Sequence, residues 1–162
     1  MTDILVIGVG NPLRGDDGAG LEVARLVRAA NVPGVEVWEH GGEPAALIDR
    51  LEGAGSVYLV DAVRGGRPGS IQRFDATEEE LGQLPPSATS HHVGLGEAIE
   101  LGRALGRLPE RLVVFGITGR DFTLGAGLTR AVARSARSVA SRIVAEVGRG
   151  DTQKPRPARR PT

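Results

Sequence analysis

The chain has 162 residues, 20 basic and 20 acidic side chains, no formal net charge and no cysteine. That length suits one domain with a proper core, and the balanced charge leaves no global field to draw in nucleic acid or an anionic membrane surface. Without cysteine there is no disulfide, no thiolate metal site and no thiol nucleophile. The amino terminus opens straight into an apolar run with no signal-like n-region, and no apolar stretch reaches membrane-spanning length, so a cytoplasmic protein is expected. One Trp and one Tyr argue against a stacking surface for single strands of nucleic acid.

The first strand is the run Ile4-Leu5-Val6-Ile7, apolar without alternation, as in strands buried on both faces of a parallel sheet. It leaves into the glycine-rich loop Gly8-Val9-Gly10-Asn11-Pro12-Leu13-Arg14-Gly15-Asp16-Asp17-Gly18-Ala19-Gly20. Leu21, Ala24, Val27 and Ala30 then give one apolar helical face, and Asn31-Val32-Pro33-Gly34 breaks that helix. Val35, Val37 and Trp38 read as a short second strand, followed by a helix with Pro44 in its first turn and Ala46, Leu47 and Leu51 inward. Ser56 to Ala62 is a third strand, an apolar run that ends in a carboxylate, Asp61.

Strand, helix, strand, helix, strand predicts a doubly wound α/β fold with strand order beginning 2-1-3. Ser70 to Phe74 alternates apolar and polar residues, which marks a half-exposed edge strand open to antiparallel pairing. Thr77 and Glu80 have capping-box spacing for a short acidic helix ending before Pro85-Pro86. Beyond the loop Ser87 to Gly94 come a helix with Leu95, Ala98, Ile99 and Leu101 as its stripe, and a last strand, Leu112 to Ile117. A long closing helix follows, on the period of Leu128, Val132, Ser135, Val139, Ile143 and Val147. Residues 1–148 are thus expected to form a single domain, and the Pro- and Arg-rich residues 149–162 a disordered tail.

In such a fold ligands sit outside the carboxyl ends of the strands at the switch point, which brings Asp16 or Asp17 to the same crevice as Asp61. Acids at a helix start are stabilised by free amides and the macrodipole, so one of Asp16 and Asp17 is expected to do only that. His91 and His92 lie in a loop and not on an apolar helix face. Two carboxylates and one imidazole on separate loops suit a borderline ion such as zinc or nickel better than magnesium or calcium. The dinucleotide fingerprint is incomplete, with Leu13 at its third glycine and Pro12 disturbing the helix start. Arg130, Arg134 and Arg137 share a helix face that solvation explains.

The loop motif Gly8 to Gly20, then Val60-Asp61-Ala62, then Ser90-His91-His92-Val93-Gly94-Leu95 resembles those of the hydrogenase maturation proteases over about residues 4 to 147. These are endopeptidases that remove a carboxy-terminal extension from the large subunit of nickel-iron hydrogenases after nickel insertion. The resemblance implies a three-layer α/β/α domain with a five-stranded, mostly parallel twisted sheet. It places the family's ligands on Asp17, Asp61 and His91, which would bind nickel supplied by the loaded large-subunit precursor, with zinc or another divalent ion able to substitute in vitro. Thr118 departs from the Glu or Gln of many relatives, and His40 precedes the glycine pair Gly41-Gly42 as a surface histidine. Metal polarisation, metal-bound water and an aspartate base stay open for the cleavage step, with Asn11 or loop amides as oxyanion donors. A non-catalytic metal- or nucleotide-binding module on the same fold is the alternative, and a spore-type protease of related fold a third reading.

Overall fold

The computed structural model describes residues 3–77 and 95–150. Its strands are β1 (Ile4–Val9), β2 (Val35–His40), β3 (Ser56–Val63), β4 (Ile71–Asp75) and β5 (Arg111–Thr118). Its helices are α1 (Ala19–Ala29), α2 (Pro44–Leu51), α3 (Leu95–Ala104) and α4 (Arg130–Gly148), with a 3-10 turn, Gly15–Gly18, ahead of α1. The five strands run in the order β2-β1-β3-β5-β4. All neighbours are parallel except β4, which pairs antiparallel with β5 from the edge.

The apolar strands β1, β3 and β5 are buried because helices cover both sheet faces, and successive residues feed alternate faces. Val6, Tyr58, Val60, Val113, Phe115 and Ile117 pack with Val23, Val27, Val132, Val139 and Ile143 of α1 and α4. Leu5, Ile7, Val57, Leu59, Leu112 and Val114 pack with Leu47, Leu51 and Ile99 of α2 and α3. Each large apolar side chain buried in this way contributes about 1.5–3 kcal/mol. The sheet is therefore a rigid platform whose carboxyl edge carries the ends of β1, β2, β3 and β5.

Several element boundaries depart from the sequence reading. β3 runs two residues past Asp61, to Val63, and β5 runs to Thr118, because Asp61, Ala62 and Val63 pair with Gly116, Ile117 and Thr118. The ladder thus carries both strands past the carboxylate. The closing helix starts at Arg130 and not at Leu128, which packs on the core from the preceding loop. The expected short acidic helix after Thr77, His91, His92 and residues 151–162 of the expected tail lie outside the described residues.

Candidate active site

The glycine-rich loop folds back on itself so tightly that a side chain at position 10 could not fit. A Cβ on Gly10 would lie 1.9 Å from the carbonyl oxygen of Asp17. The loop is closed by its own polar groups: Arg14 N donates to Asn11 O at 3.2 Å, Asp17 N donates to Arg14 O at 3.0 Å, and Leu13 N donates to Asn11 Oδ1 at 2.9 Å. Asn11 N donates to Asp17 Oδ2 at 3.0 Å, which fixes that carboxylate above the end of β1. Asp17 is buried, and the turn that carries it packs on β3.

Asp16 turns away from this crevice. One of the two adjacent acids is expected to do no more than stabilise the helix start, yet no side chain caps the turn or α1. Asp16 Oδ2 accepts from Arg120 N at 2.8 Å and Asp121 N at 3.0 Å, and its Oδ1 accepts from Thr129 N at 2.8 Å. The Thr129 hydroxyl lies 3.1 Å and 3.0 Å from the two oxygens. A fully buried carboxylate is held by donors of a loop more than a hundred residues downstream, which satisfies the desolvated charge without a cation. Gly15 belongs to the same junction. Its φ of 54° is left-handed, and a Cβ there would meet Asp121 O at 2.3 Å.

Asp61 is fully buried and continues the Val57 and Leu59 face, on the α2 and α3 side of the sheet. Its partner in the β3–β5 ladder is Gly116, which has no side chain to compete for the space. The Oδ1 oxygens of Asp17 and Asp61 are both sealed from solvent. The β1–β3 register sets Gly8 beside Val60, so Asp61 stands one residue further along, at the level where the Asp17 loop departs. Asp61 and the loop that carries Asp17 thus lie at the same carboxyl edge of the sheet. Their third expected ligand, His91, lies outside the described residues. Among the described residues no group of three His, Cys, Asp or Glu side chains forms a metal cluster.

His40 ends β2 opposite Val9 and is half-buried. Its Nδ1 accepts from Gly42 N at 2.8 Å, so the imidazole shapes the turn into α2. Thr118 is buried at the end of β5, on the Asp61 face of the sheet. The loop amides do not form an open oxyanion cradle. Gly10 N donates to His40 O, Gly15 N to Ala126 O and Asp16 N to Asp121 O, in addition to the contacts of residues 11, 13, 14 and 17. Of the oxyanion donors expected from the sequence, the Asn11 side-chain amide is what remains.

A family model described as hydrogenase maturation protease matches residues 22–146. The chain belongs to this family. Its sequence is 32% identical over 153 residues to a Methanocaldococcus jannaschii protein assigned as a hydrogenase maturation protease, covering 90% of this chain and 96% of that one. It is 25% identical over 134 residues to the Escherichia coli hydrogenase 2 maturation protease, covering 80% of each. The fold is that of the hydrogenase maturating endopeptidase HybD of Escherichia coli, with a TM-score of 0.72 at 23% identity over 91% of this chain and 93% of that one. As a hydrogenase maturation endopeptidase the chain is a peptide-bond hydrolase of α/β fold. No helix among its described residues is long and apolar enough to cross a membrane.

Proposed function

We propose that this maturation protease removes the carboxy-terminal extension of a nickel-iron hydrogenase large-subunit precursor, and that Asp17, Asp61 and His91 test whether the precursor already carries nickel. The observation that carries this reading is the placement of two buried carboxylates, Asp17 and Asp61, at one sheet edge beside a glycine-rich loop. Two buried carboxylates at one edge are hard oxygen donors that a divalent cation brought by the substrate would satisfy. Two oxygen donors and an imidazole leave coordination positions for the ligands that the precursor supplies, and such a donor set binds nickel more tightly than most divalent ions. An unloaded precursor offers nothing for these residues to hold.

The dinucleotide alternative fits the loop poorly. Phosphate binding at a βα turn needs free amides, and here the amides of residues 10, 11 and 13 to 17 already donate to protein oxygens. Two aspartates would also repel the pyrophosphate.

The test is processing of a nickel-loaded precursor, followed by gel shift, with the unloaded precursor in parallel. Wild type is expected to shorten only the loaded form, and Asp17→Ala, Asp61→Ala and His91→Ala to shorten neither. Full cleavage by all three variants would overturn the assignment.

A further inference from the structure

Five of the described arginines are held in ion pairs. Arg25 and Arg28 pair with Glu39, Arg73 and Arg111 with Glu146, and Arg107 with Asp49 and Glu52. Arg14, Arg64, Arg67 and Arg120 make no ion pair among the described residues, and all four are exposed. These four lie on the loops that leave the carboxyl ends of β1, β3 and β5, the edge that holds Asp17 and Asp61. A chain of zero net charge therefore presents a locally cationic rim around its site.

The same loops expose two large apolar side chains, Leu13 at 63% and Leu124 at 65%. They are held next to each other by main-chain bonds: Gly125 N donates to Leu13 O at 2.7 Å, and Gly15 N donates to Ala126 O at 3.1 Å. Arg64 lies over the Phe122 ring at 4.4 Å, and Phe122 packs towards Asp16 at the Gly119 corner. Apolar groups fixed in water on a preorganised loop pair lose little further entropy when a partner covers them. Guanidinium groups beside them favour a partner that brings carboxylates, which they take in forked geometry.

We infer that the β1–α1 and β5–α4 loops, through Leu13, Leu124, Arg64 and Arg120, form the docking rim for the precursor segment next to the scissile bond, a polypeptide stretch that combines apolar side chains with carboxylates. This rests on the proposed processing of a hydrogenase precursor. Charge complementarity decides the occupant: Arg14, Arg64, Arg67 and Arg120 make the rim cationic, which favours a segment that carries carboxylates. The rim holds the peptide across the mouth of the Asp17 and Asp61 crevice and sets KM, leaving the bond-breaking step to the site.

Binding of the nickel-loaded precursor to the immobilised full chain would be measured at low and high salt, alongside cleavage kinetics, for wild type, Leu13→Ser/Leu124→Ser and Arg64→Glu/Arg120→Glu. Circular dichroism would confirm folding of each variant. Both double variants are expected to weaken binding and raise KM at least tenfold with kcat within about twofold, and the charge-reversed one to lose the salt dependence. Unchanged binding and KM in both folded variants would overturn the docking rim while leaving the protease reading intact. Tight wild-type binding that these variants lose, with no cleavage of loaded precursor by wild type, would uphold the rim and overturn the processing reading. Loss in the variants of binding to single-stranded RNA or anionic vesicles, with precursor binding unchanged, would assign the rim to another partner and overturn the inference.

Discussion

Asp16 and Thr129, separated by 113 positions in the chain, are joined twice: the Asp16 carboxylate accepts from both the amide and the hydroxyl of Thr129. Together with Arg120 N and Asp121 N, these donors clamp the β5–α4 loop to the loop that carries Asp17. Asp16→Ala leaves several buried donors without an acceptor, so a loss of about 3 kcal/mol is expected from the cost of orphaned buried groups. Asp16→Asn keeps an acceptor and should cost less. Urea unfolding followed by the fluorescence of Trp38, the chain's one tryptophan, measures both, and equal stability of wild type and Asp16→Ala would refute the clamp.

The contrast between Asp16 and Asp17 marks where the sequence was readable and where it was not. Chain position and the apolar runs sufficed for the sheet, because strands buried on both faces leave a pattern that local residues carry. The order 2-1-3 placed Asp16 or Asp17 at the same edge as Asp61, and only the family resemblance singled out Asp17; the sheet has that order. The role of Asp16 was not readable, since its donors are backbone amides and one hydroxyl near residues 120 and 129, too far along the chain for any local pattern to signal them. The commitment of the loop amides was hidden for the same reason. An exposed leucine at 13 and another at 124 gave no hint of adjacency, because a main-chain contact between two loops has no period.

Tyr58 gives the fold a weakness at alkaline pH. Its hydroxyl is buried beside Arg111 and Glu146, and burial pushes its pKa above the ordinary value, aided by Glu146 and opposed by Arg111. The folded state therefore favours the neutral phenol. The stabilisation is complete below the ordinary tyrosine range and is lost as pH rises through the raised folded value, since the unfolded chain ionises first. Because Tyr58 is the chain's single tyrosine, tyrosinate absorbance reports it alone. Its titration should lie above that of the urea-unfolded protein, and Tyr58→Phe should flatten the alkaline loss of stability. Coincident native and unfolded titrations would contradict the burial argument.

His40 provides a check on the ligand set. With Nδ1 accepting from Gly42 N, a neutral ring carries its proton on Nε2 and offers no free lone pair to a metal in this arrangement. Nickel binding measured by calorimetry should thus be the same within about twofold for His40→Ala and wild type, while the unfolding free energy falls by roughly 1 kcal/mol with the lost turn bond. A tenfold weaker nickel affinity in His40→Ala would bring His40 into the ligand set.

Asn11 is the side chain best placed to act on the reaction without holding a metal. Its backbone amide orients Asp17 and its Oδ1 accepts from Leu13 N. Both contacts leave the two Nδ2 hydrogens to point elsewhere, beside a carboxylate at the head of the site. If those hydrogens stabilise the oxyanion of the tetrahedral intermediate, Asn11→Ser, which keeps a hydroxyl acceptor for Leu13 N, should lower kcat by about 10²–10³ with little change in KM. A purely structural role predicts the reverse split, because a loosened loop weakens substrate binding and stability together. Cleavage of loaded precursor at saturating concentration, paired with a urea unfolding curve for the same variant, separates the two. An unchanged kcat would leave Asn11 as the residue that holds Asp17 in place, and nothing more.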